Sequence, residues 1–354
     1  MFDQKKYIET FSTVTASEKT LTEVLNMTKQ KKPHYFGRLT RALAVAAVMT
    51  AMLATTVFAY VGFTQYENPM DMLKTFFGSD EYRVDEGGIR TENVGGKPYD
   101  VIEPTVEHVP VDTKIAEEYV APFISDVGQS ITYDGDTLTV EAHHYDSATN
   151  CGIICYTLEN PEGVTGYELQ ANGEIWWPGG EKVRMSNVSE KNYIIEEETT
   201  ATKLTIASYY CGADESDVIE VYFYDKTFNS LKLRLDDGGG MAYRAYEESS
   251  IVVSPIAIKL RLTDFESLGK IQEDGSYLPP VDDVRLDYLA VRFSDGSVYV
   301  VRQDDENAII QNYHYALIKD YNKDMPCASY VFNRIIDVDQ VEAVIINEQE
   351  YAMK

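Results

Sequence analysis

The chain has 354 residues, 44% of them hydrophobic, which is enough to bury a core and excludes a disordered protein. Its formal net charge is −27, but residues 1–41 hold eight Lys/Arg against four Asp/Glu, which leaves −31 for the rest. Such asymmetry places the two ends in different environments, and the acidic majority repels nucleic acid, so no direct nucleic-acid binding is expected.

Residues 1–41 are too few to bury a core of their own. They pattern as two short amphipathic helices. Tyr7, Ile8 and Phe11 mark one apolar face. Ser17 suits an N-cap, and Thr20 followed by Glu23 resembles a capping box. Leu21, Val24, Leu25 and Thr28 then recur at helical spacing, and Pro33 stops the helix. Two apolar faces on so short a tail need cover, either a partner groove or the inner surface of a bilayer.

No acidic residue lies between Glu23 and Glu67, and residues 42–63 (ALAVAAVMTAMLATTVFAYVGF) carry no charge. As a helix this stretch would span about 33 Å, against a hydrocarbon core of about 30 Å. Lys29, Lys31, Lys32, Arg38 and Arg41 crowd its N-terminal side, while only Lys74 and Arg83 follow closely. The positive-inside rule then predicts a cytoplasmic N-terminus, one transmembrane helix and an extracellular C-terminal portion. The rivals are a buried soluble helix, and a signal peptide cleaved after Ala59 with Val57 at the −3 position. The region before the apolar stretch is far longer than a normal leader, which favours an uncleaved anchor.

Residues 64–112 are expected to form a juxtamembrane linker. A helix is expected around 113–125, capped by Asp112, with Ile115, Tyr119 and Val120 on one side. Period-two strands follow at 129–133, 137–145, 151–158, 166–171, 192–197, 202–208 and 217–224. Asp134-Gly135 signals a tight hairpin between the first two. The run 236–240 (DDGGG) is the best linker, because three glycines hold a strand only at entropic cost. A second set is expected at 251–262, 285–293, 297–302, 314–318, 328–333 and 340–347, with a hairpin at Asp295-Gly296. The expectation is therefore a mainly β protein with an extracellular, immunoglobulin-like β-sandwich in two modules, 113–237 and 245–354. One continuous sandwich is the alternative. Tyrosine is abundant at 26 residues, a bias that suits half-buried strands.

Four cysteines, Cys151, Cys155, Cys211 and Cys327, all follow the apolar stretch and allow three two-disulfide pairings. Cys151 and Cys155 sit roughly 13 Å apart along one strand, too far to bond each other. Buried thiols are the competing reading. His143 and His144 are adjacent in a strand, so they face opposite ways and cannot grip one metal. The acidic runs Glu196-Glu197-Glu198, Asp282-Asp283 and Asp304-Asp305-Glu306 lack calcium-loop spacing and read as solvated charge. Trp176-Trp177 could stack on sugar, but one of the pair must face inward if the stretch is a strand. No nucleophile elbow, phosphate loop, dinucleotide fingerprint or zinc spacing occurs, so no enzyme activity, cofactor or metal is expected.

The tail stretch FSTVTASEKTLTEVLNMT (11–28) resembles the N-terminal signature of a group of Gram-positive single-pass membrane proteins related to anti-sigma factors. VGQSITYDGDTLTV (127–140), VVSPIAIKL (252–260) and IIDVDQVEAVIIN (335–347) resemble strands of the same group's β-rich ectodomain of unknown function. The tail lacks the Cys/His zinc motif of the longer anti-sigma domains. The resemblance implies a membrane-tethered regulator in the cell membrane. Its tail would hold an extracytoplasmic-function sigma factor through Tyr7, Ile8, Phe11, Leu21, Val24 and Leu25, and its outer domain would sense an unknown ligand. The alternative is a cell-surface binding or adhesion module for which the tail and the bilayer serve as anchor.

Overall fold

A computed structural model describes residues 81–354, apart from the stretches 95–96, 171–172, 178–181, 213–217, 225–228, 236–239, 248–249, 266–269, 272–276, 279–285, 305–308 and 319–326, together with Leu73, Phe76 and Phe77. The expected tail, its six candidate residues Tyr7, Ile8, Phe11, Leu21, Val24 and Leu25, and the expected span 42–63 lie outside the described residues. Among the described residues, no helix is long and apolar enough to cross a membrane.

Four short strands come first: β1 (Arg83–Asp85), β2 (Gly88–Val94), β3 (Lys97–Glu103) and β4 (Val106–His108). They pair antiparallel as β1 with β4 and β2 with β3, within the stretch expected as a linker. Helix α1 (Thr113–Tyr119) follows, with Asp112 as its N-cap; Asp112 Oδ1 accepts from the N–H groups of Lys114 at 2.9 Å and Ile115 at 3.3 Å. Those two amides have no partner within the helix, so the cap sets where the helix begins. Pro122 tightens the continuation into a 3-10 turn, Ala121–Phe123, and ends the helical stretch.

The first block of strands is β5 (Ile124–Tyr133), β6 (Asp136–Asp146), β7 (Cys151–Glu159), β8 (Glu168–Leu169), β9 (Ile175–Trp176), β10 (Val183–Met185), β11 (Ser189–Ile194), β12 (Lys203–Cys211), β13 (Val218–Phe223) and β14 (Ser230–Arg234). One sheet runs β11-β12-β7-β6-β5 and a second runs β10-β13-β14. Asp134 and Gly135 both take positive φ, 51° and 84°, which gives the expected two-residue hairpin the twist its strands need. The expected strand 192–197 stops at Ile194, and Glu196–Glu198 form a 3-10 turn instead.

The second block is β15 (Arg244–Tyr246), β16 (Ile251–Val253), β17 (Ala257–Arg261), β18 (Lys270–Ile271), β19 (Tyr277–Leu278), β20 (Tyr288–Phe293), β21 (Val298–Asp304), β22 (Ile309–Gln311), β23 (Tyr313–Ile318), β24 (Cys327–Phe332), β25 (Val341–Ile346) and β26 (Gln349–Ala352). Its sheets run β15-β16-β17-β24-β23 and β22-β21-β20-β25-β26. The expected single strand 251–262 is two strands, because Ser254-Pro255 turns the chain between β16 and β17. The Ser254 hydroxyl accepts from Ala257 N at 3.0 Å and its own N–H donates to Ala257 O at 2.9 Å, which closes the turn.

Three apolar layers hold these sheets. Leu138, Ile154 and Leu204 of the β7 sheet meet Val183, Ile219 and Leu231 of the β13 sheet. Ile258, Leu260 and Tyr330 meet Leu289, Val301 and Val344 in the second block. A third layer joins the blocks: Ile153, Ala207 and Tyr209 share a core with Ala257, Val331 and Ile335. Each fully buried aliphatic or aromatic side chain in it contributes about 1.5–3 kcal/mol. Strands β7 and β12 are therefore covered on both faces, which is why their sequences are nearly continuous apolar runs. The described residues make one compact, mainly β unit with the two sandwiches sharing that layer.

Several tyrosines sit deeper than half-burial. Tyr156, Tyr210 and Tyr330 are fully enclosed. A tyrosine can be buried when its hydroxyl finds a partner, and Tyr210 OH lies 2.7 Å from His143 Nε2. The ring fits because residue 152, opposite it across the strands, is glycine.

Candidate functional site

The most organised polar and aromatic group lies in the third layer, where the chain arriving from the N-terminal side is held between the two sandwiches. Period two puts Tyr193 of β11 and Tyr209 of β12 on the face that looks to the second block. His314 of β23 enters from the other side. Its imidazole stacks on Tyr209 with ring centres 4.1 Å apart and planes 15° from parallel. Tyr193 stands edge-on to Tyr209, with centres 5.6 Å apart. Phe77 stands edge-on to both Tyr209 and His314, at 6.3 Å and 6.2 Å. The Tyr209 hydroxyl donates to Phe76 O at 2.7 Å. Leu73, Phe76 and Phe77 are thereby packed into the layer that joins the sandwiches.

Polar bonds cross the same seam. Tyr193 OH donates to His314 O at 2.8 Å, and the Ser189 and Tyr315 hydroxyls are 2.5 Å apart. His314 retains some exposed surface, yet its Nε2 is wholly enclosed and has no hydrogen-bond partner. The enclosed nitrogen governs its proton equilibrium: burial holds the imidazole down to about 3, outweighing a backbone bond at Phe76 that pulls upwards. The His314 imidazole is therefore neutral at pH 7, and a cation, Lys191, has its Nζ 5.6 Å from the centre of the Tyr193 ring. Within the seam the segment carrying Leu73, Phe76 and Phe77 is held by ring contacts and by the Tyr209 hydroxyl.

The same incoming chain is fastened again at β4. Thr105 N donates to Ile309 O at 2.7 Å, and Gln311 N donates to Thr105 O at 3.1 Å. Glu107 N donates to Asn312 Oδ1 at 2.8 Å, and Asn333 Nδ2 donates to Glu107 O at 2.8 Å. Arg334 pairs with the Glu107 carboxylate and lies over the Tyr299 ring at 4.3 Å. The chain therefore touches the second sandwich before it builds the first.

The residues singled out in the sequence fall elsewhere. His143 and His144 point to opposite faces, as their adjacency requires. His143 bonds Tyr210, and His144 Nδ1 lies 3.2 Å from Phe123 O. Trp177 is 6% exposed and packs edge-on to Tyr167 at 5.9 Å, while Trp176 is 52% exposed. Leu169 is a further exposed apolar side chain in the β8–β9 ribbon, and Ile89 faces Ile102 on the exposed β2–β3 ribbon. Of the acidic runs, Asp304 pairs with Arg302 at 2.7 Å; residues 282–283 and 305–306 lie outside the described residues. Among the described residues, no three His, Cys, Asp or Glu side chains are placed to hold a metal ion.

Tyr193, Tyr209, His314, Phe76 and Phe77 were not legible as a group. The available signal was the run LTIASYYC (204–211), which has no charged residue and no alternation of apolar with strongly polar positions, as a strand without a solvent face requires. No family model and no curated protein matches the chain. A solved structure of the conserved domain protein from Bacillus anthracis is similar to it with 12% identity and a TM-score of 0.31, over 65% of this chain and 78% of that one.

Proposed function

We propose that the chain is a membrane-tethered regulator, with a cytoplasmic tail that binds an extracytoplasmic-function sigma factor and an outer β domain that responds to a ligand or envelope condition. The observation that carries it is the split of the sequence: an uncharged 42–63 stretch, basic on its N-terminal side, divides a net-positive tail from a strongly acidic remainder. The seam fits the same reading, since it grips Phe76 and Phe77 just beyond that stretch. A stimulus that opened the seam would release the segment leading back to the membrane.

In the tail, Leu21, Val24 and Leu25 supply the apolar face for the partner, with Tyr7, Ile8 and Phe11 as a second patch. The test is capture of a sigma factor by the full chain in detergent. Replacing Leu21→Asp together with Leu25→Asp is expected to lower recovery at least tenfold. Unchanged recovery, or no sigma factor with the unaltered chain, ends this reading.

A second reading, a surface binding module, draws on the exposed Trp176, which stands opposite the exposed Glu168 in the β8–β9 ribbon. An aromatic face of this kind stacks on sugar rings or on apolar side chains. Trp176→Ala is expected to weaken binding on a glycan array while leaving stability within about 0.5 kcal/mol, whereas Trp177→Ala costs about 3–5 kcal/mol of stability. An array silent for the unaltered chain counts against a sugar ligand.

A further inference from the structure

Cys151 begins β7 and Cys211 ends β12, and the two stand directly opposite each other in the antiparallel register. Their sulfur atoms are 3.1 Å apart, and both residues are fully buried on the face that looks into the third layer. The neighbouring pair fixes what kind of position this is. Gly212 N donates to Asn150 O at 3.0 Å, so residues 150 and 212 form the hydrogen-bonded pair and 151 and 211 the narrow one. In a narrow pair the Cα atoms are about 4.5 Å apart, within the window of about 4.4–6.8 Å that a disulfide spans. The sulfurs need to approach by about 1 Å to reach bonding distance of about 2.05 Å.

We propose that Cys151 and Cys211 are a disulfide-forming pair that staples the two central strands of the first sandwich. The step is thiol–disulfide exchange. One cysteine, as thiolate, attacks a sulfur of an oxidant disulfide and expels a thiolate. The second cysteine, as thiolate, then attacks the mixed disulfide, forming the Cys151–Cys211 bond and expelling the other half of the oxidant. Two thiol hydrogens are lost as protons, two electrons pass to the oxidant, and the oxidant disulfide becomes two thiols. Because both sulfurs are enclosed, exchange takes place while β12 is open, before the third layer closes over them. Cys155 sits on the same face of β7, but four residues along; its neighbours across the strands are Ala142 and Ala207.

The loop closed by the bond covers a sequence separation of 60 residues. A crosslink of that length removes considerable freedom from the unfolded chain, so the oxidised protein is expected to melt higher by on the order of 10 °C.

The test exposes the reduced full chain to oxidised glutathione in low urea, alkylates the remaining thiols and digests with trypsin. Cleavage places Cys151 and Cys155 together on 115–182, Cys211 on 204–226 and Cys327 on 324–334. The expected product is 115–182 linked to 204–226, kept in Cys155→Ser and lost in Cys151→Ser, with the higher melting temperature in the first variant as well. Recovery of Cys211 as an alkylated thiol, its linkage to 324–334, or survival of the link in Cys151→Ser overturns the proposal.

Discussion

At the scale of single residues, two buried imidazoles make the domain sensitive to acid. His143 is held down to about 3 by burial first and by neighbouring His144 second, and His314 is held down to about 3 by burial. In the unfolded chain both titrate near 6.5, so between about pH 6.5 and 3 the unfolded state binds more protons. Stability from these neutral imidazoles is complete above about pH 6.5 and is lost as pH falls towards 3. Each contributes a slope of about 1.4 kcal/mol per pH unit in that window. Urea unfolding at pH 7.5 and pH 5 should therefore show a loss of about 2 kcal/mol per histidine. His314→Gln should reduce the loss by one such share; an undiminished loss would remove His314 from the account. Sequence revealed that His143 and His144 part to opposite faces, because that needs only strand periodicity. It was silent on His314, whose partners come from residues more than a hundred positions away.

At the scale of elements, the hairpins were the most legible part. Asp134-Gly135 and Gly296 carry the positive φ that such turns demand, and local chemistry alone decides them. Strand β14, SLKLR, alternates buried and exposed positions, a period-two pattern outside the expected set of strands. The split of β16 from β17 shows a turn signal that a continuous apolar run concealed. Strand β7 depends on a feature with no hydropathy signature, namely the absence of a side chain at Gly152. A Cβ there would stand 2.3 Å from His144 O and 2.4 Å from the Tyr210 hydroxyl. Gly152→Ala is expected to cost at least about 1–3 kcal/mol, because both the His144 carbonyl of the neighbouring strand and the Tyr210 ring must shift, seen as a lower urea midpoint. Gly128→Ala meets no neighbouring atom and loses only what its φ of 58° imposes, so it is the milder control.

At the scale of the whole molecule, the mainly β character followed from composition and period, while the third apolar layer did not. Ala257, Val331 and Ile335 look like ordinary strand residues until a second sheet is set against them. Two sandwiches joined by a shared apolar layer should lose their structure together. Residues 81–354 are expected to unfold in a single calorimetric transition, with the van't Hoff enthalpy equal to the measured one. Two resolved transitions would mean that the shared layer contributes little. Ala207→Asp, in the middle of that layer, is expected to lower the melting temperature by well over 5 °C, as an unpaired charge enclosed by both blocks must.

Strands enclosed on both sides also set where this protein can change. On an ordinary surface strand every second position faces water and accepts most substitutions. Along β7 from Cys151 to Leu158 and β12 from Leu204 to Cys211 neither the odd nor the even positions have that freedom, so charged replacements there should be rejected throughout a saturation library. The outermost sheets, each with one wet face, are left to absorb the variation.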